Sequence, residues 1–325
     1  MARGRGPWLD GGEYLAIRLL VGCMRVFPRR LCVASLHAVA SLAYRVMGSR
    51  RRGALKLVEQ HLGLTGVEAE RVVKGAFRTL ALTVGETILL QRALKRSSLE
   101  DHVTFEGAEY WEQAVGRGRG VLLAMAHFGA WESTAEMLAR RFQPVWAVGR
   151  ALDNPRLDGL VKELREVPLA GTLPKEGSGR HLARLFKQGE VVGLLLDQNA
   201  GQHGVMLDFM GSPAMQHKVA GIMARRFGVA VLPLYVLREP GHLRFRAIFE
   251  EPILADEALA DEDAELDVIR RVADSLEARI RETPEQWLWL HDRWRKAAWI
   301  LRRQARQAAR AKGIDPNPSE GTNGG

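Results

Sequence analysis

The string Met125-Ala126-His127-Phe128-Gly129-Ala130-Trp131-Glu132 sets a histidine and a carboxylate five residues apart. An imidazole can take a proton from a hydroxyl near neutral pH, provided a partner fixes its tautomer and stabilises the imidazolium. Glu132 is a candidate for that partner. On a continuous helix the two side chains would diverge by about 140°, so pairing requires a turn, which Gly129 permits. The apolar run 121–126 reads as a buried strand ending at His127. Reactive groups of open α/β sheets sit at such strand ends. Spacing alone leaves a plainer reading open, with a satisfied histidine at a strand end and a first-turn Glu favoured by the helix dipole.

The elements that would position this pair are legible around it. Further apolar runs at 145–148, 191–196 and 229–236 read as strands, and 243–249 alternates as an edge strand would. Helical segments at about 131–141, 154–166, 178–188 and 216–227 alternate with them. That alternation predicts an α/β fold with a mainly parallel central sheet flanked by helices. Helices are also expected over 13–47, 50–61 and 66–94, and again over 265–281 and 284–311. The division reads as a loose N-terminus (1–12), an N-terminal helical region (13–95), an α/β domain with a basic C-terminal helix (96–312) and a disordered tail (313–325).

The chain has 325 residues, 47 Lys+Arg against 38 Asp+Glu, a net charge of +9, and 46% hydrophobic residues. This excludes a disordered or collagen-like chain. The two cysteines, Cys23 and Cys32, make no disulfide framework. Positive charge sits at the ends. Residues 14–58 hold nine Lys or Arg and no acid, and 293–312 hold eight and no acid. The first stretch is also aliphatic, but its longest uncharged run, 31–44, falls short of the about 20 residues a span needs. It fits helices lying in a membrane interface, or a basic helical cap packed on the core. The basic ends also fit a nucleic-acid binder, which would bind DNA in a salt-sensitive way.

Several familiar sites are absent. Gly116-Arg117-Gly118-Arg119-Gly120 precedes a strand rather than following one, so it is no dinucleotide fingerprint. There is no G-K-[ST] loop, no G-x-S-x-G elbow, and no H-E-x-x-H or C-x-x-C, which leaves a metal site without support.

His127 and Glu132, in an H-x-x-x-x-E pattern after a strand, resemble the motif of glycerolipid acyltransferases. The fuller H-F-G-A-W-E string resembles the bacterial lipid A biosynthesis (lauroyl/myristoyl) acyltransferases. Further blocks match that family in order: Val148-Gly149-Arg150 with Asn154-Pro155, then Arg165, Gly171 and Lys175, and Leu196-Asp197-Gln198. Gly204-Val205 with Phe209, Gly211, Pro213 and Ala214 follows, then Pro233, and Pro284-Glu285-Gln286-Trp287-Leu288-Trp289-Leu290-His291 with Arg293-Trp294. The match covers roughly 14–300. Ala130 stands where Asn is common, and Gln216 where Thr is usual.

The resemblance implies a fatty acyl group moving from a thioester, on acyl carrier protein or coenzyme A, to a hydroxyl of an anionic glycolipid such as a lipid A precursor. In that reading His127 is the general base and Glu132 orients it. Arg150, Arg165, Lys175, Asp197 and Gln198 bind substrate, and Phe128, Trp131 and Phe209 line an acyl channel. No metal or organic cofactor is implied, because the thioester is already activated. Acyl carrier protein and the inner membrane surface are the implied partners, no nucleic acid is, and the location is peripheral or monotopic on the cytoplasmic face. A phosphatidylinositol mannoside, an ornithine lipid or a glycerophospholipid as acceptor stays open, as does a non-catalytic lipid-binding relative.

Overall fold

The computed structural model describes residues 7–149, 154–166, 169–174 and 177–311. Arg150, Lys175 and the tail 313–325 lie outside them.

Four helices come first: α1 (Pro7–Val26), α2 (Arg29–Val46), α3 (Gly48–Leu62) and α4 (Gly66–Ala93). The expected helix over 13–47 is therefore two helices. They break at Phe27-Pro28, because proline lacks a backbone N–H and turns the preceding residue from helical geometry. The first begins inside the stretch expected to be loose, with Pro7 at its start, a position where the missing N–H costs nothing. The long helix α4 carries this cap. Its Gly85 lies so close to Leu36 of α2 that a Cβ there would collide with it.

The α/β part contains β1 (Val103–Glu106), α5 (Ala108–Gly116), β2 (Val121–Met125), α6 (Thr134–Arg141), β3 (Val145–Gly149), α7 (Pro155–Glu166) and β4 (Leu169–Pro174). It continues through α8 (Gly179–Lys187), β5 (Val191–Leu195), a hairpin of β6 (Val205–Phe209) and β7 (Ser212–Gln216), α9 (Val219–Phe227), β8 (Ala230–Arg238) and β9 (Phe245–Phe249). Helices α10 (Asp261–Glu282) and α11 (Arg295–Ala311) close the chain.

Seven strands form one sheet in the order β1-β9-β8-β2-β5-β3-β4. All neighbours are parallel except β8 and β9. The mainly parallel sheet expected from the sequence is present. The 243–249 segment is not its edge, however: β9 lies between β1 and β8 and is almost wholly buried. Two short strands, β1 and β4, are the true edges, and β4 alternates between half-buried and exposed positions as an edge should.

β2 lies in the middle and is covered on both faces. Leu122 and Ala124 pack with α8 and α9, while Val121 and Leu123 pack with residues of α4, α5 and α6. That two-residue alternation, hidden in a uniformly apolar run, fixes which way the residues after β2 face. A third cluster sits under the carboxyl ends of the central strands and joins Phe128, Phe209, Trp287, Trp289 and Trp294 to α3 and α4.

No single helix among the described residues is long and apolar enough to cross a membrane. Helices α2 and α3 reach that composition together but meet at 89°. Many aliphatic residues of α1 and α2 face outward, among them Leu19 (61% exposed) and Leu42 (59%).

Candidate active site

Beyond Met125 the chain leaves the sheet at a tight turn. Phe128 N donates to Ala126 O (2.7 Å), Gly129 N to Gln286 O (2.9 Å) and Ala130 N to Val236 O (2.7 Å). Gly129 has φ +57°, and a Cβ there would run into Val236 O, so two separate constraints demand glycine. A single 3-10 turn, Trp131–Ser133, then leads into α6. His127 is thereby held at the carboxyl end of the central strand.

The neighbouring strand β5 supplies its partner. Leu196 N donates to Met125 O (2.8 Å), carrying the strand pairing one residue further and setting Asp197 beside His127. His127 Nδ1 lies 2.8 Å from Asp197 Oδ1. A carboxylate only accepts, so Nδ1 carries a proton. Gln198 Nε2 stands 3.4 Å from His127 Nε2. Asp197, read from the sequence as substrate-binding, is the group bonded to Nδ1, and Glu132, expected to orient His127, stands on the wall of the adjacent cavity. The physical reason is topological. Parallel neighbours β2 and β5 end side by side, which brings Asp197 level with His127.

Asp197 is 2% exposed. Burial alone would raise its pKa, but contact with His127, the charge of Arg293 and a hydrogen bond from Trp287 outweigh that and hold it at about 2. Trp287 Nε1 donates to Asp197 Oδ2 at 3.0 Å. Arg293 is 1% exposed; it donates to Leu196 O (3.3 Å) and to Gln216 Oε1, and its guanidinium lies 4.3 Å over the Phe209 ring. Burial lowers its pKa to about 10, so it remains a cation at neutral pH.

The segment 284–294 therefore straps the site from behind. It was expected to begin a helix running to 311. Instead a 3-10 turn, Pro284–Gln286, is followed by irregular chain up to α11. Leu288 N donates to His127 O (3.1 Å), and Trp289 and Trp294 donate their indole N–H groups to Pro284 O (2.8 Å) and Phe209 O (3.0 Å). Three buried indoles need three acceptors, and the irregular chain brings each to one. Among these residues, Trp287, Arg293 and Gln216 were not singled out from the sequence as site residues. The late Trp-rich block was the signal that could have found the first two.

An apolar cavity of about 110 Å³ opens beside Trp131 and Glu132. Its walls are Met125 of β2, Val145 to Gly149 of β3, Thr172 of β4, and Gly193 and Leu195 of β5. The Trp131 ring also meets His127 edge-on at 5.4 Å. Trp131 thus lines the cavity. Phe128 and Phe209 do not: each is 1% exposed and packs among Tyr235, Trp287 and Trp294. The channel expectation for these two is corrected to core packing, because the turn at Gly129 directs Phe128 away from the cavity and the β6–β7 hairpin directs Phe209 under the strap. Arg165 falls on α7. Among the described residues no group of three or more His, Cys, Asp or Glu is arranged to hold a metal ion.

This arrangement suits proton abstraction from an alcohol beside a slot for an aliphatic chain. Comparison with known proteins agrees in kind. A phosphatidylinositol mannoside acyltransferase of Mycolicibacterium smegmatis is 24% identical over 206 residues, 62% of this chain and 66% of that one. A lipid A biosynthesis lauroyltransferase of Escherichia coli is 26% identical over 194 residues (58% and 60%), and a palmitoleoyltransferase of the same organism 23% over 230 (70% and 72%). The chain thus spans just under two thirds of the mycolicibacterial relative it matches. The family model described as bacterial lipid A biosynthesis acyltransferase matches residues 10–296, which takes in β2, β5 and the strap alike, and the chain belongs to that family.

Proposed function

We propose that this chain transfers a fatty acyl group from an acyl carrier protein thioester to a hydroxyl of an anionic glycolipid of the lipid A precursor kind. His127 is the general base and Asp197 the carboxylate that orients it. The observation that carries this reading is the 2.8 Å His127–Asp197 pair at the centre of the sheet edge, next to an apolar cavity.

The acceptor oxygen attacks the thioester carbonyl as its proton passes to His127 Nε2. The C–O bond forms, the C–S bond breaks, and the proton leaves with the thiolate. Asp197, ionised across the working range, stabilises the imidazolium without itself taking the proton. No acyl-enzyme intermediate arises, because the acceptor attacks directly. In this reading Gln198 holds the acceptor hydroxyl, and the cavity beside Trp131 takes the start of the acyl chain. Arg150, Arg165 and Lys175 keep the anion-binding role that the family resemblance gives them. The outward-facing aliphatic residues of α1 and α2, with the basic residues between them, support attachment to the cytoplasmic face of the inner membrane.

A phosphatidylinositol mannoside is the second acceptor reading, favoured by the relatives named above. Purified full-length chain, labelled acyl carrier protein and a panel of lipid acceptors decide between them. Acylation of a lipid A precursor, abolished by His127→Ala, is the expected result. Transfer that survives His127→Ala sinks the general-base role, and transfer only to mannosides sinks the first acceptor.

A further inference from the structure

A second, larger cavity lies on the opposite chemical footing. It is a groove of about 870 Å³ between α3 and α11. Arg50 and Lys56 enter it from α3, and Arg295 and Arg302 from α11. The spacing is helical: Arg50, Gly53 and Leu57 share one face of α3, and Arg295, Ala298 and Arg302 one face of α11. Its one acid is Asp292, whose Oδ1 accepts from Trp294 N (3.1 Å). Among the described residues none of the four cations makes an ion pair. Arg50 reaches only Leu290 O (3.4 Å) and Arg302 only Ala298 O (3.1 Å). Like charges gathered around one cavity raise the energy of the empty state and favour an anion inside it.

Two features point to a ligand rather than to a merely solvated surface. His61, 5% exposed, forms part of the wall, its ring stacked on Trp294 with centroids 3.5 Å apart; neither ring nitrogen has a partner in strict hydrogen-bond geometry, although the backbone of Met210 lies close enough to act on the ring. Unpartnered buried polar nitrogens are rare in folded proteins. Gly53 sits in the middle of α3 with open space where a Cβ would be, so no packing neighbour demands a glycine there. A mid-helix glycine that nothing crowds fits a place where a ligand approaches the backbone closely.

The groove also shares a wall with the site above. His291 lines it, and His291 Nε2 accepts from Asn199 N (3.3 Å), two residues beyond Asp197. Exposed apolar residues accompany both helices: Val46 and Met47 just before α3, and Trp299 and Leu301 on α11. Lys296 and Arg303 flank the Trp299 ring at 4.1 and 5.5 Å. Aromatic and aliphatic groups set among cations are what a membrane interface selects.

We propose that this groove binds the phosphate of a membrane-embedded lipid headgroup, held by Arg50, Lys56, Arg295 and Arg302. Naming that headgroup as the acceptor's rests on the acyl-transfer reading; the phosphate site itself does not. The test uses the full chain and phosphatidylcholine vesicles containing either phosphatidic acid or oleate at matched surface charge. Wild type should bind the phosphate-bearing vesicles roughly tenfold more tightly. The Arg50→Gln/Lys56→Gln/Arg295→Gln/Arg302→Gln variant should lose that preference while keeping its binding to pure phosphatidylcholine. His61→Phe, which preserves the stack on Trp294, should narrow the preference with an unchanged melting curve. The proposal is overturned by equal binding of the two vesicles, by a preference that survives the fourfold variant, by inorganic phosphate displacing the chain as well as the lipid does, or by a fourfold variant that loses only its binding to an acidic carrier protein. Absence of acyl transfer with the preference intact would refute the reading above and leave this one standing.

Discussion

The cavity beside Trp131 is walled by strands β2 to β5, and the groove beside His291 by helices α3 and α11. Of these strands β2, β5 and β3 are held by ladders on both sides, so their apolar side chains define a fixed volume. Helix walls here carry long charged side chains, which can follow a ligand and respond to salt. The first region is built to measure an aliphatic chain, the second to sense charge. His127 meets Trp131 of the first, while Asn199, two residues beyond Asp197, donates to His291 of the second.

The sharpest way to break this picture is at the pair itself. Asp197→Asn leaves the shape but loses the anion that fixes the tautomer, and kcat should fall by roughly 10²–10⁴. Glu132→Gln, on the cavity wall, should cost far less. Steady-state rates of the two variants settle which carboxylate orients His127, and a larger loss for Glu132→Gln would reverse the assignment.

Removing the cation behind the pair comes next. Arg293→Met leaves Asp197 buried without its cationic neighbour and should destabilise the fold by about 3–5 kcal/mol in urea unfolding. The same carboxylate also makes a pH prediction. Its folded pKa, about 2, is depressed from the ordinary 3.8. The stability it contributes is therefore fully present above about pH 4 and lost as pH falls toward 2. Asp197→Asn should flatten that acid limb of the stability curve, and an unchanged limb would mean that the pair is not ionised in the fold.

On the cavity side, Gly193 of β5 faces the lumen. A Cβ there would meet only Met125 Sδ at 3.4 Å and Trp146 O at 3.8 Å, so side-chain volume at this position can enter the cavity without moving backbone. Gly193→Leu should shorten the preferred acyl chain, changing kcat/KM ratios between chain lengths by roughly 10–200-fold. A uniform loss across chain lengths would show that the acyl group runs elsewhere.

The two regions were not equally legible in the sequence. Strand runs such as 191–196 announce themselves by uninterrupted aliphatic residues, and the turn at Gly129 by its single glycine. The short edge strands β1 and β4 gave no such run, since an edge needs only half its residues buried. The family resemblance brought Asp197 and Gln198 into the site, but their distance from His127 depends on which strands are neighbours. Nothing local in 191–198 states that β5 lies beside β2. The strap 284–294 reads as helix in the sequence because its order comes from tertiary acceptors for indole N–H groups, which periodicity does not encode. The groove was visible only as two basic segments, 14–58 and 293–312, far apart in the chain and joined by the fold.

The smallest expected effect sharpens the helical side of the comparison. Gly53 lies on an exposed turn of α3, where alanine is the better helix former by about 0.5–1 kcal/mol. If the groove were only a solvated face, Gly53→Ala would raise the melting temperature slightly and change nothing else. With a headgroup phosphate seated against that backbone, the added methyl stands in its way. The variant should then be slightly more stable and yet discriminate less between phosphatidic acid and oleate vesicles. A gain in stability opposed to a loss in recognition is not expected of a surface shaped by folding alone, and its absence would return Gly53 to an accident of the sequence.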